Sequence, residues 1–244
     1  MNWRALAHRL SHLAGYEIRR PGASGRTMRD ALMQLRRAGL APSTVVDVGV
    51  GFGTPDLYRI FPEPTYLLVE PVAEYEPALK ALLREEIHGS YVIAAAGAQS
   101  GVVQLNIRGE ASSIYRDVDR SDVGAAVRQV PLKTLDQLCE ERALVGPYLI
   151  KVDVQGAELE VLAGAQTLLT NAGAVLLEVS LFELLEDAPI FAEVVRTMDN
   201  RGFAVYDIFD GLARPADGAL AQIDIAFVGT DGPLRRYQGF RPSS

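Results

Sequence analysis

The run Val45-Val46-Asp47-Val48-Gly49-Val50-Gly51-Phe52-Gly53-Thr54 holds the residues best suited to chemistry. β-branched residues and an acid lead into three glycines at alternate positions. Pro55-Asp56-Leu57-Tyr58-Arg59-Ile60-Phe61 follows and reads as a helix with proline in its first turn. Glycine carries no Cβ, so backbone N–H groups can approach a ligand closely. A strand running through such a turn into a helix N-terminus suits a nucleotide-like cofactor lying across the turn. Carboxylates recur at other strand ends: Glu70 in Tyr66-Leu67-Leu68-Val69-Glu70-Pro71, Asp153 in Tyr148 to Val154, and Glu178 in Leu177-Glu178-Val179. In a doubly wound sheet, ligands bind beyond the C-terminal ends of the strands, where these acids fall.

Spacing narrows the cofactor. The dinucleotide fingerprint needs glycines at relative positions one, three and six, whereas here the sixth position is Thr54. Alternating glycines preceded by Asp47 resemble motif I of class I S-adenosylmethionine-dependent methyltransferases. Glu70 lies about 20 residues past the turn, where an acid can bind a ribose diol. Nicotinamide enzymes use the same device, so Glu70 alone does not discriminate. On this reading Asp47, Gly49, Gly51, Gly53, Glu70, Pro71, Ala95, Ala96 and Asp153 form the S-adenosylmethionine site. The glycines pass the methionine part and Glu70 holds the ribose. The turn Ala94-Ala95-Ala96-Gly97 flanks the adenine through backbone groups, and Asp47 orients the glycine turn. A glycine-rich turn without a cofactor is the plainer alternative.

The stretch Leu149-Ile150-Lys151-Val152-Asp153-Val154-Gln155-Gly156-Ala157-Glu158-Leu159-Glu160-Val161-Leu162-Ala163-Gly164-Ala165 is the second signature. It resembles the FkbM family of methyltransferases, whose pattern reads close to I-K-I-D-V-E-G-A-E-x-x-V-L-x-G-A. The resemblance runs from about Val45 to Val228 and includes Glu70-Pro71, Ser112-Ser113, Val130 to Asp136 and Leu177-Glu178-Val179. Two departures stand out: the family's turn commonly reads G-A-N-x-G, and Gln155 replaces the usual acid. The second removes a charge from the site, and whether a metal takes part stays open. The resemblance implies a class I fold and O-methylation of an alcohol on a small molecule, sugar or glycan. Residues 1–40 lie outside it.

An aliphatic hydroxyl must lose its proton during methylation, and a base or a metal can assist. His88 falls at the opposite edge of the sheet, and His8 and His12 lie outside the core. Carboxylates are the better bases: Asp153 first, then Glu158 and Glu178. Each has a structural alternative. Asp153 can bind cofactor or cap the next helix, Glu158 suits a first helical turn, and Glu178 can make a strand-end hydrogen bond. Ser112, Ser113, Tyr115 and Arg116 are candidate contacts for a hydroxylated acceptor, or part of an ordinary solvated loop.

These residues need a frame. Strands are expected at Thr44 to Val48, Tyr66 to Glu70, Tyr91 to Ala95, Val102 to Ile107, Val130 to Leu132, Tyr148 to Val154, Ala174 to Val179, Phe203 to Phe209 and Ile223 to Val228. Helices are expected at Pro71 to Ile87, Thr134 to Ala143, Ala157 to Asn171 (ended by Gly173) and Ile190 to Asn200. Residues 108–128 read as a substrate loop. The alternation predicts a doubly wound, mainly parallel seven-stranded α/β sheet of the Rossmann-like methyltransferase kind, with an antiparallel last strand. Two helices precede it. One carries Trp3, Leu6, Leu10 and Leu13; Thr27 caps the other, which buries Ala31, Leu32 and Leu35 and ends at Gly39. The domain division is therefore 1–40, a helical segment, and 41–244, the methyltransferase domain.

Composition bounds the rest. The 244 residues are 48% hydrophobic and 23% charged, and no apolar run is long enough to span a membrane. The N-terminus is too broken by Arg and His for a signal peptide. Cys139 is the only cysteine, which excludes a disulfide framework and a cysteine-based metal site; cytoplasmic residence is the simplest expectation. Net charge −7 argues against nucleic-acid binding. Residues 1–40 hold eight Arg against Glu17 and Asp30, a net of +6, so the remainder carries −13. Such a segment packs on the acidic body or meets an anionic partner, and a homo-oligomer stays open. Rival functions are a nicotinamide-dependent oxidoreductase and a non-catalytic binding module.

Overall fold

The chain was analysed as a computed structural model that describes residues 25–119, 124–237 and 239. The expected helix around Trp3 to Leu13 lies outside the described residues.

Seven strands form one sheet in the order β3-β2-β1-β7-β8-β10-β9. They are β1 (Thr44–Val48), β2 (Thr65–Glu70), β3 (Gly89–Ile93), β7 (Tyr148–Val152), β8 (Ala172–Ser180), β9 (Phe203–Ala213) and β10 (Leu220–Gly229). β10 is inserted between β8 and β9 and runs antiparallel to both. The pairs β1–β2, β1–β7, β2–β3 and β7–β8 are parallel. The α/β class, the parallel centre and the antiparallel last strand agree with the expectation.

Successive strand residues point to opposite faces, and both faces are covered. Val46, Val48, Ile150, Val152, Val175 and Leu177 pack with Leu135, Val161, Leu162, Val194 and Met198. These come from α4 (Leu135–Glu140), α5 (Glu158–Ala163) and α7 (Phe191–Asn200). Val45, Tyr66, Leu68, Leu149 and Leu176 pack on the other face with Leu32, Leu35, Leu57, Tyr58, Leu79 and Leu82. Those lie on α1 (Met28–Arg37), α2 (Pro55–Ile60) and α3 (Glu76–Glu85). β-branched runs buried on both sides are what a parallel sheet requires.

α1 begins in a capping box between Thr27 and Asp30. Ala31, Leu32 and Leu35 are fully buried, Arg26 pairs with Asp207, and the Met28 amide donates to Asp210. The boundary drawn at residue 40 therefore cuts through a packed face. The described part of that segment shares the core of the body.

Tertiary contacts reset several element bounds. Residues Ala157 to Asn171 form two short helices, α5 and α6 (Gln166–Leu169), rather than one. The break falls at Gly164, where a Cβ would stand 2.1 Å from the Gly97 carbonyl oxygen. Asp136 then accepts from the amides of Thr167 and Leu168, both at 3.0 Å, and caps α6 from another element. Gly173, expected to end the helix, lies inside β8.

The expected strand to Ala95 stops at Ile93. Ala95–Ala96 (β4) joins a separate sheet, β4-β6-β5, with β5 (Gly101–Ile107) and β6 (Ala126–Lys133). β6 is longer than expected because it pairs with β5 from Ala126 to Leu132, so the loop ends before Ala126. The helix expected from Pro71 starts at Glu76, after a 3-10 turn at Ala73–Tyr75. α4 ends at Glu140, short of Ala143, which takes a positive φ. β7 stops at Val152, ahead of the left-handed Gln155 and Gly156. β9 and β10 extend toward each other as one long hairpin.

Candidate active site

The chain leaves β1 toward β2 and β3 on one side, and later returns to β7 and β8 on the other. Such a reversal opens a crevice at the C-terminal ends of the two central strands. Gly49 follows β1 and Asp153 follows β7 at this point. They touch so closely that a Cβ on Gly49 would stand 1.7 Å from the Asp153 carbonyl oxygen. With φ +75, Gly49 is also in a region that side-chain-bearing residues avoid.

A cavity of about 520 Å³ fills the crevice, within the range of small-molecule sites. Its glycine wall is Gly49, Gly51 and Gly53. Beside it, the Glu70 carboxylate accepts from the Gly51 amide at 2.9 Å and the Val72 amide at 2.8 Å. Burial pushes Glu70 above the usual carboxylate range, and the two amides oppose that shift. Pro71, Tyr75, Ala95 and Ala96 continue this end.

Asp47 does not line the cavity. It is fully buried behind the turn, accepting from Thr54 Oγ1 at 3.0 Å and the Tyr58 hydroxyl at 2.8 Å. It also faces Lys151, its registered neighbour on β7, with Nζ 3.4 Å away. Lys151 Nζ reaches Asp153 Oδ2 at 3.3 Å as well. Burial alone would lower the Lys151 ammonium, but Asp47 and Asp153 outweigh it and hold the group above its ordinary value.

The far end is acidic. Asp153, Gln155, Glu178 and Asp210 line it. Gln155 Nε2 donates to Asp153 Oδ1 at 3.3 Å and to Glu178 Oε2 at 2.7 Å; Gln222 Nε2 donates to the same Glu178 oxygen at 3.1 Å. Asp224 stands directly opposite Glu178 in the β8–β10 ladder. Like charges so placed repel. Burial, then Asp153, Glu158 and Asp224, push Glu178 up to about 9. Burial, then Asp153 and Asp210, push Asp224 up to about 7. Burial and the neighbouring acids thus favour the protonated form of Glu178.

The small sheet and the residues after β5 form the roof. Leu105, Gly109, Glu110, Ser112 and Ile114 line the cavity from there. Arg108 pairs with Asp117 within this segment. Ser113 is fully buried and donates from Oγ to the Gln155 carbonyl at 2.7 Å, tying the roof to the β7 turn.

The structure thus gathers Gly49, Gly51, Gly53, Glu70, Pro71, Ala95, Ala96, Ser112, Asp153 and Glu178 around one cavity. It sets apart Asp47, Glu158, Ser113, Tyr115 and Arg116. Glu158 turns back on its own helix start, where Oε1 accepts from Val154 and Gly156 amides at 3.2 and 3.1 Å; burial pushes it up to about 7. Tyr115 packs near Gly156, and Arg116 is exposed. Lys151, Glu110, Asp210 and Asp224 were not expected at the site, and Gln155, expected only as a departure that removes a charge, bridges two of its acids. One signal was available: a lysine inside a buried strand needs a partner, and Asp47 sits at the matching position of the neighbouring strand. His88 lies exposed at the far edge, as expected.

Among the described residues, no group of three or more His, Cys, Asp or Glu is arranged to hold a metal ion. No described helix is long and apolar enough to cross a membrane. The donor set does fit a cationic nucleoside. A glycine backbone without side chains, a buried strand-end carboxylate and an acid-rich lining suit a ribose and a positively charged sulfur.

Residues 47–205 match the Methyltransferase FkbM domain, about two thirds of the chain. No curated protein sequence is significantly similar to it. Among solved structures, the chain is similar to magnesium protoporphyrin IX methyltransferase from Synechocystis with bound SAM, at 12% identity over 94% of this chain and 98% of that one, TM-score 0.43. An N-methyltransferase from Bradyrhizobium japonicum is 11% identical over 82% and 95%, TM-score 0.45. Precorrin-6y C5,15-methyltransferase from Geobacter metallireducens is 10% identical over 82% and 86%, TM-score 0.42. These likenesses are remote, and the domain match carries the assignment. It sets aside the oxidoreductase and the non-catalytic module: the chain belongs to the FkbM methyltransferase family and is an S-adenosylmethionine-dependent methyltransferase.

Proposed function

We propose that this enzyme methylates a hydroxyl group of a small molecule, sugar or glycan, with Asp153 as the proton acceptor. S-adenosylmethionine supplies, when bound, an electrophilic methyl on a cationic sulfur. Glu70 and the Gly49–Gly53 backbone hold its ribose and methionine parts, and Ala95 and Ala96 flank its adenine. The observation that carries the reading is the Asp153 carboxylate. It lines the cavity next to the glycine turn, with one oxygen held by Lys151 and the other by Gln155. Each oxygen retains a lone pair, so an acceptor hydroxyl can donate to it. Burial and the neighbouring acids favour the protonated form of Glu178, and its side chain already accepts from Gln155 and Gln222, so it serves as a hydrogen-bond partner rather than the base. Ser112 lines the cavity from the roof, and in this reading its hydroxyl, which donates to the Gly109 carbonyl and accepts from the Arg108 amide, takes one further hydrogen bond from the acceptor. Alignment of hydroxyl and methyl supplies much of the acceleration.

The test is a screen of hydroxylated acceptors with isotopically labelled S-adenosylmethionine, read by mass spectrometry with fragmentation. The expected product is a labelled methyl ether. A methyl placed only on nitrogen or carbon would overturn the hydroxyl assignment.

A further inference from the structure

Gln155 occupies an unusual place. Its backbone is in the left-handed region, at φ 55, although it is not glycine. Such a conformation is unfavourable for a side-chain-bearing residue and persists where the surroundings hold it. Two contacts hold it here: the Ser113 hydroxyl on the Gln155 carbonyl at 2.7 Å, and the side-chain amide between Asp153 and Glu178. An amide nitrogen carries two hydrogens, so both carboxyl groups can be served at once. Ionised glutamate at this position would have no hydrogen to give and would add a further anion between two acids.

We infer that Gln155 is a positioning residue for methyl transfer, orienting the Asp153 carboxylate toward the acceptor and separating it from Glu178. Lys151 pins one Asp153 oxygen from the strand side, and Gln155 pins the other from the cavity side. With both oxygens anchored, the remaining lone pairs have fixed directions. The roof is part of the same arrangement, because Ser113 holds the residue that holds Asp153. This inference rests on Asp153 taking the acceptor's proton. The charged and titratable groups facing the pair are Lys151 on β7, Glu158 at the start of α5 and Asp224 on β10, with Asp47 on β1 beyond Lys151 and Asp210 on β9 beyond Asp224.

The test compares Gln155→Glu and Gln155→Met with the wild type on one acceptor. kcat, KM, S-adenosylhomocysteine affinity, the pH–rate profile and thermal melting are measured. Gln155→Glu should lower kcat at neutral pH by about tenfold or more and move the acidic limb of the profile upward by about one pH unit. Gln155→Met keeps the volume without the amide, and should lower kcat while leaving the limb nearer its original place. Affinity for S-adenosylhomocysteine should stay within about threefold in both, because Glu70 and the glycine turn are untouched. An unchanged kcat and profile in Gln155→Glu would overturn the inference. So would equal losses of kcat and nucleoside affinity in both variants, which mark a merely structural residue. If the wild-type product carries its methyl on nitrogen or carbon, the hydroxyl reading falls separately. The ratio of variant to wild-type turnover on that acceptor still decides the role of Gln155.

Discussion

Glu70 shows how a single side chain joins turn and cavity. Each of its oxygens accepts one backbone amide, from Gly51 and Val72, and each keeps a further lone pair; we propose that these take the ribose hydroxyls. Glu70→Ala should weaken cofactor binding by about 1–3 kcal/mol through lost charge-assisted hydrogen bonds. Calorimetry with S-adenosylhomocysteine measures it, and wild-type affinity in the variant would remove Glu70 from the site. The place of Glu70 beside the cavity was readable from sequence, because a carboxylate at the end of the strand that follows a glycine turn falls at the crevice. Lys151 and Gln155 were not, because their roles depend on partners that only the folded sheet brings near. Glu158 misled for the opposite reason. A glutamate at a helix start is more often satisfied by its own backbone, and here it is.

At the scale of elements, the turn and the paired acidic strands make distinct demands. Gly49→Ala would force a Cβ onto the Asp153 carbonyl and a left-handed backbone onto alanine. The expected loss is about 3 kcal/mol or more, read from urea unfolding. A midpoint matching the wild type would contradict the close approach of β1 and β7. The β8–β10 ladder predicts a pH dependence. Glu178 is raised from 4.5 to about 9 and Asp224 from 3.8 to about 7, so between those values the folded chain binds more protons than the unfolded one. Their stabilising contribution is complete below the unfolded values and is lost as pH rises through the folded ones. Melting temperature should therefore fall from about pH 5 to about pH 9, and less steeply in Asp224→Asn, as scanning calorimetry at constant ionic strength would show. A steeper fall in that variant would contradict the repulsion described. The strands themselves were legible as β-branched runs. The break at Gly164 and the β4-β6-β5 sheet were not, since they answer to Gly97 and to pairing along β5 rather than to local pattern.

The described residues form a seven-stranded sheet with helices on both faces and a small three-stranded sheet beside it, and α1 is packed on the larger one. Leu32 and Leu35 are fully buried in the cluster shared with α2 and the sheet. Burying them contributes about 3–6 kcal/mol, a large share of the 5–15 kcal/mol that separates about any folded domain from its unfolded chain. The full chain is the reference for a truncation that removes α1, whose Met28 also lines the cavity. A chain beginning at Leu40 should be unfolded or melt far lower, as circular dichroism would record. Equal melting of the two would show α1 to be dispensable. The arginine excess left packing on the acidic body and contact with an anionic partner both open, while the Ala31, Leu32, Leu35 stripe marked a buried helix face; in the fold α1 is packed on the body. The central claim is that this cavity moves a methyl group to a hydroxyl with Asp153 taking the proton. Single-turnover transfer by Asp153→Asn, measured beside its cofactor affinity, tests it most directly. The transfer rate should fall by about a hundredfold or more with affinity nearly intact; equal losses in both, or an unchanged rate, would mean that Asp153 is not the base.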